Sequence, residues 1–388
     1  DWSVCSVESC SFVGNQAFAL KGTPADELSA HASGKNNWTE ISAANTNAAP
    51  KGMTYSHERF FMGGNDFRPR PGAPIIWKGE GTVVRGGVDL GPWTDEGEGV
   101  ISAAIPKDAD GKPLALDMLF VNGERASRSA LPKNRGSFKI PGGEADSRAK
   151  TLSTNAAGRV TYAKEWTRLN EDAAAVLDAV APEDLPYVQI QIRLDWTQAR
   201  RRVVGWDRER REVQTEAFGG KPRDVNNRWC ARTAIRFENI RAAFVEPGEW
   251  FYDAKAGKVL YRLRAGETAA TLRAVAPAKR PSKLLNVDGA HDLRFEGLAF
   301  EYADAPQDGV ADDPRKLNQT YRSQSAATYD AAVGLRFAER VEFVRCRVAR
   351  SGNYAFRIAD GCRHVALRRC ETWDTGAGGV WMGSARQN

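Results

Sequence analysis

The sequence predicts an all-β chain built around a stacked β-solenoid, and three observations predict it. Alternating apolar residues recur along most of the chain, a strand-patterned repeat with a period near 24 residues closes it, and one short segment alone carries helical periodicity. The 388 residues are 42% hydrophobic and 27% charged, enough for one large domain or two ordinary ones.

From the N-terminus, "CSVESCSF" (5–12) has the apolar spacing of residues 341–348, and "GNQAFAL" (14–20) echoes "GNYAFRI" (352–358). The opening residues therefore read as one rung of the stack. Residues 91–282 lack the repeat and carry longer strands in "MLFVNGERASRSAL", "LPYVQIQIRLDW" and "AIRFENIRAAFVE". In "WFYDAKAGKVLYRL", Trp250–Tyr252 is expected to pair with Val259–Tyr261 as a hairpin. "EDAAAVLDAVA" (171–181) reads as the helix, and "AVAPAKRPSK" as a linker.

The repeat follows. "LRFEGLAF" (293–300), "VEFVRCRV" (341–348) and "VALRRCET" (365–372) share apolar first, third and sixth positions. The offsets are 341 − 293 = 48 and 365 − 341 = 24, so the first interval reads as two periods. Phe295, Phe343 and Leu367 are expected to form one inward column, and Leu298, Cys346 and Cys370 another. The divisions are thus an N-terminal solenoid portion over 1–90, a β-rich insertion over 91–282 and rungs over 283–388. Both ends read as rungs without caps, so a further segment or another chain is expected to complete the stack.

A family resemblance is carried by "GAPIIWKGEGTVVRGGVDLGPW", "LFVNGERASRSALPKN", "FENIRAAFVEPGEWFYDAKAGKVLYRL", "VEFVRCRVARSGNYAFRI" and "DTGAGGVWMG", in that order. Together they resemble the right-handed parallel β-helix carbohydrate-active enzymes that include glycoside hydrolase family 141. The resemblance implies a right-handed parallel β-helix interrupted by a β-sandwich-like insertion, with a substrate groove along the helix. Residues 1–60 depart from that pattern.

The candidate site centres on Asp374 in "CETWDTGAGGVWMG". An aspartic protease needs two Asp-Thr/Ser-Gly loops sharing a proton, and this chain has one, inside a solenoid repeat. A turn-capping role for Asp374 is the plain alternative to a catalytic one. Subtracting 24 gives Arg350 and a further 48 gives Tyr302; rungs stack about 4.8 Å apart, so Arg350 would hold the Asp374 carboxylate ionised. Tyr354, Trp373 and Trp381 offer faces on which sugar rings stack, or fill turns. Glycoside hydrolysis needs a second carboxyl, about 5 Å away for retention or roughly 6.5–9.5 Å for inversion. Asp330 and Asp360 are the candidates, with Asp304 on the Asp374 ledge; the family resemblance implies instead a partner aspartate on a rung after residue 388.

Other chemistries find less support. The acidic loop 304–313 could take calcium through Asp304, Asp308, Asp312 and Asp313, but lacks EF-hand spacing, and no Cys/His cluster has zinc spacing. The net charge of +6 favours an anionic partner without naming one. "QARRRVVGWDRERREVQ" alternates arginine with acids around an expected turn at Gly205, which argues for a solvated ribbon over a nucleic-acid surface. No apolar run is long enough to cross a bilayer. The expectation is a secreted or periplasmic glycoside hydrolase acting on a polysaccharide or oligosaccharide, with no required cofactor. A uronate-specific polysaccharide lyase and a non-catalytic carbohydrate-binding β-helix are the alternatives.

Overall fold

The computed structural model describes residues 10–13, 16–19, 53–56, 59–62, 65–67, 74–79, 81–108, 110–114, 116–134, 136–139, 151–154, 160–162, 166–193, 198–215, 234–277, 283–305 and 329–383. The chain divides into two compact units. The first takes its described residues from Asp1–Gly87, Pro277–Pro306 and Tyr329–Asn388, and the second from Val88–Ala276.

The first unit is built on three parallel sheets. One orders Cys10–Val13, Leu285–Asp288, Ala331–Arg336, Tyr354–Ile358 and Val380–Met382 side by side. The second orders Ile75–Lys78, His291–Glu296, Glu339–Val344 and Ala366–Arg368. The third orders Val83–Arg85, Ala299–Glu301, Arg347–Ser351 and Glu371–Thr375. From Leu285 onward the chain visits first, second and third sheet in turn and begins again at Ala331, Tyr354 and Val380. Phe295 pairs with Phe343 and Phe343 with Leu367, as the repeat predicts. The two phenylalanine rings stack with centroids 4.9 Å apart. Leu298, Cys346 and Cys370 join the same core, and the thiols of Cys346 and Cys370 donate to the Phe295 and Phe343 carbonyls at 3.4 and 3.5 Å.

Two expectations are corrected here. The interval from 293 to 341 is a single coil, because His291–Glu296 and Glu339–Val344 are direct neighbours. The additional residues lie between Glu301 and Ala331, where the coil above passes from Ser351 to Tyr354 with two residues between them. The sequence between those two strands is thus longer by nearly the length of a coil, and mimics one in the repeat. The N-terminal strand is indeed a parallel neighbour of the stack, but it adds to the first sheet beside Leu285–Asp288 and not at the register of 341–348. Gln16–Ala19 then returns antiparallel to it, since two intervening residues permit only a reversal.

Corners between sheets carry left-handed residues at repeated positions: Asp292, Arg340 and His364; Gly297, Arg345 and Arg369; Tyr302, Arg350 and Asp374. A non-glycine residue there costs about 1–2 kcal/mol, which the surrounding parallel ladders must offset.

In the second unit, a five-stranded sheet (Thr94–Gly97, Val100–Ala104, Ser127–Arg128, Glu249–Asp253, Lys258–Arg262) shares a core with a four-stranded one. Trp250 faces Tyr261 and Tyr252 faces Val259, the hairpin expected from sequence. The four-stranded sheet includes Ala274–Ala276, buried and paired with Val88–Leu90, so the start of the expected linker is a strand. A third sheet packs under helix Glu171–Asp178, which Asn170 caps by accepting from the Ala173 amide at 2.9 Å. Its strand Gln198–Asp207 runs straight through Gly205, with a register shift there, and the reversal falls at residues 208–211. Among the described residues no helix is long and apolar enough to cross a membrane.

Candidate functional site

The repeat brings Tyr302, Arg350 and Asp374 to the same position of three consecutive coils, where the third sheet ends and the chain turns toward the first. Strand register fixes this, since Glu301 pairs with Ala349 and Ala349 with Trp373. All three have left-handed backbones, with φ of 62°, 53° and 48°. Such a residue interrupts the pleat at that position, and the ladder resumes one residue on, where Ser351 pairs with Thr375.

Arg350 reaches back to the coil before its own. Its Nη1 donates to Glu301 Oε2 at 2.8 Å in the preceding coil, and Arg347 donates to Glu301 Oε1 at 2.5 Å. The Arg350 guanidinium also lies 4.5 Å from the Trp373 ring centroid and 5.7 Å from that of Tyr302, with Arg85 at 6.0 Å from Tyr302. Glu301 is buried, and burial raises the Tyr302 phenol above its ordinary range against the pull of Arg350. Trp373 is 45% exposed, so one aromatic face remains available to a ligand. Asp374 is half-buried beside it.

On the other side of the same corner stand the opening residues of the first sheet. Asp330 is 3% exposed, 3.3 Å from Lys283 Nζ and 3.7 Å from Arg357 Nη1, and its Oδ1 accepts from the Ala331 amide at 2.9 Å. Lys283 reaches it across Gly334, where a Cβ would fall 3.2 Å from the lysine Cε. Arg357 lies 4.3 Å from the Trp381 ring, which packs on Tyr354 at 5.6 Å. Cation-π contacts and ion pairs hold both arginines.

The corner backbone is tight. The Gly376 amide donates to Ser351 O at 2.8 Å and that of Gly352 to Ala303 O at 2.9 Å. A Cβ on Gly376 would fall 2.1 Å from Gly352 O, and one on Gly378 2.7 Å from the Tyr354 ring. Asn353 donates to Asp304 O at 2.6 Å, so Asp304 is part of the corner framework.

Seven of the eight residues singled out from sequence therefore flank one corner. Asp360 is the exception: it is exposed on the corner between the first and second sheets, where its carbonyl accepts from the Phe337 amide at 2.8 Å. Sequence reasoning missed Glu301, Arg347, Lys283 and Arg357. The 24-residue spacing of Arg357 and Trp381 was available as a signal; the lateral reach of Lys283 to Asp330 was not. Residues 306–328, which hold most of the acidic loop considered for calcium, lie outside the described residues. Among the described residues no three His, Cys, Asp or Glu side chains gather as a metal-holding group.

Neither a family model nor a curated protein matches the chain. Among solved structures it is similar to a glycoside hydrolase, with a TM-score of 0.55 and 18% sequence identity. The match covers 81% of this chain and 56% of that one, so the chain spans little more than half the length of that protein. At such identity the likeness is one of fold.

Proposed function

We propose that the first unit is a right-handed parallel β-helix and that the protein is a secreted or periplasmic glycoside hydrolase acting on a polysaccharide at the corner between the third and first sheets. The observation that carries this reading is the alternation of rings and guanidiniums along that corner, Tyr302–Arg350–Trp373 on one side and Arg357–Trp381–Tyr354 on the other, with a carboxylate on each side. Aromatic faces held at fixed spacing suit stacked sugar rings, and the fold likeness to a glycoside hydrolase agrees with it.

In this reading Asp374 is one carboxylate of the acid/base pair and Asp330 the second. Arg350, anchored by Glu301, positions Trp373 and the bound sugar. Asp360, on another corner, takes no part. The lyase reading asks for a cation free to neutralise a uronate carboxylate. Here Arg350 already carries Glu301, and Lys283 and Arg357 share Asp330, which favours hydrolysis of neutral sugars at this corner.

The test is a screen of the purified chain against neutral and uronic-acid polysaccharides, following reducing ends and ultraviolet absorbance together. New reducing ends without absorbance support hydrolysis. Absorbance from an unsaturated product replaces it with elimination, and binding without either product leaves a carbohydrate-binding protein.

A further inference from the structure

The corner between the first and second sheets carries an aromatic ring that the reading above does not use. The amides of Gly289 and Phe337 donate to Arg336 O and Asp360 O of the coil ahead at 2.9 and 2.8 Å, which sets Gly289, Phe337 and Gly361 at one position of three consecutive coils. All three backbones are left-handed, with φ of 65°, 50° and 73°. Glycine adopts that conformation readily, whereas a bulky side chain does so only against steric resistance. Phe337 is nevertheless 56% exposed, so burial offsets little of the strain. Strain that packing leaves unrewarded points to a task for the side chain that causes it.

The neighbouring coil is shaped to receive the ring. A Cβ on Gly361 would fall 2.1 Å from Phe337 Cδ1 and 2.8 Å from its Cε1, so the ring occupies the space that a side chain at 361 would fill. Polar groups flank it on both sides along the chain. Before it, Asp288 accepts from Nε and Nη2 of Arg336, whose guanidinium lies 5.5 Å from the ring centroid, and Asp360 is exposed next to Gly361. Two residues after it, His291, Glu339 and Arg363 pair laterally across the same three coils. The side chains of His291 and Glu339 are partly exposed, and Arg363 is exposed.

A sugar ring has an apolar face of C–H groups and a rim of hydroxyls, so it is matched by an aromatic face bordered with donors and acceptors. Phe337 supplies the face. The Asp288–Arg336 pair and Asp360 border it on one side, and His291 and Glu339 on the other. Among the described residues here, the carboxylates of Asp288, Glu339 and Asp360 stand against the guanidiniums of Arg336 and Arg363, and buried Asp292 is matched by Arg340. No cationic excess is present to draw a uronate. We propose that Phe337 is the platform of an accessory binding site for a neutral sugar unit, holding a polysaccharide at a corner other than that of Asp374. The proposal rests on the reading that the protein acts on a polysaccharide, and it needs no chemistry at the Asp374 corner.

The test is fluorine nuclear magnetic resonance of the full chain labelled with para-fluorophenylalanine, in which the Phe337 signal is the one that Phe337→Asn removes. The probes are cellohexaose, xylohexaose, mannohexaose and trigalacturonate. At least one neutral hexasaccharide is expected to move the Phe337 signal saturably at millimolar concentration, with trigalacturonate at least about tenfold weaker. Trp373→Ala should leave that titration unchanged. Phe337→Asn, whose new side chain tolerates the left-handed backbone, is expected to melt no lower than the parent. The proposal is overturned if no neutral hexasaccharide moves the signal, if trigalacturonate moves it equally well, or if Trp373→Ala abolishes the response. A Phe337→Asn protein that melts clearly below the parent would also overturn it, by making the ring a structural element. Release of reducing ends by the same labelled chain reads the Asp374 corner separately, so failure of hydrolysis and failure of the accessory site give different results.

Discussion

Arg350 reaches back one coil to Glu301, donating at 2.8 Å, while its guanidinium lies 4.5 Å from the Trp373 ring of the coil ahead. One side chain thus ties three successive coils beside Asp374. Glu301→Gln keeps the shape of the acceptor and removes its charge from two arginines. The expected cost is about 2 kcal/mol of stability, and about a tenfold fall in turnover through the loosened Trp373 platform. Denaturant unfolding and steady-state kinetics on the active substrate measure the two separately; unchanged turnover would remove Arg350 from the site.

Asp374→Asn tests the carboxylate itself. Asparagine tolerates the left-handed backbone that residue 374 adopts at φ 48°, so the variant is expected to fold with the parent's melting temperature and lose turnover by about a hundredfold or more. Full activity would return Asp374 to the turn-capping role. Alanine would be a poorer choice, because it lacks the side chain that makes this backbone tolerable.

Gly376→Ala probes the corner's packing. The new methyl would meet the Gly352 carbonyl oxygen at 2.1 Å, and that oxygen belongs to backbone which cannot swing aside. A loss of about 3 kcal/mol is expected on denaturant unfolding, with reduced activity from displacement of Asp374 and Trp381. A variant as stable as the parent would show that the neighbouring coils yield more readily than their spacing implies.

Asp292 supplies a pH dependence. Its buried carboxylate accepts from Arg340 Nε and Nη2 of the next coil at 2.8 and 2.9 Å and contacts His291 at 2.7 Å. The hydrogen bonds from Arg340 hold it below the usual carboxylate range, against the opposing effect of burial. A carboxylate depressed in the folded state contributes stability that is fully present above its unfolded pKa of about 3.9 and is lost as pH falls through the folded value. Asp292→Asn should therefore melt about 5 °C below the parent at neutral pH, and the gap should close progressively below about pH 4. A gap that persists in acid would mean that shape, and not charge, is what Asn fails to supply.

The inward columns were legible in sequence because a core-facing residue must recur once per coil, and Phe295, Phe343 and Leu367 do so. The same shift placed Tyr302, Arg350 and Asp374 together. It misjudged how many coils separate the first two, since Ala299–Glu301 pairs directly with Arg347–Ala349 although the sequence between Glu301 and Ala331 is longer by nearly one period. Periodicity also says nothing about which neighbour an outward side chain chooses. Arg350 turns to Glu301, and Lys283 crosses Gly334 to Asp330; both choices follow from burial and local charge after the coils have stacked.

The strands that open and close the second unit, Val88–Leu90 and Ala274–Ala276, are paired antiparallel, so Val88 faces Ala276. A slack tether of that length would cost about 4 kcal/mol more to close than a two-residue link. Zipped at its neck, the insert presents the parallel sheets with two adjacent chain ends, much as a short turn would. Val83–Arg85 can then find Ala299–Glu301 without searching the space of a long loop. Such a neck makes the insert a graft, exchangeable or removable over evolutionary time while the coils on either side keep their register.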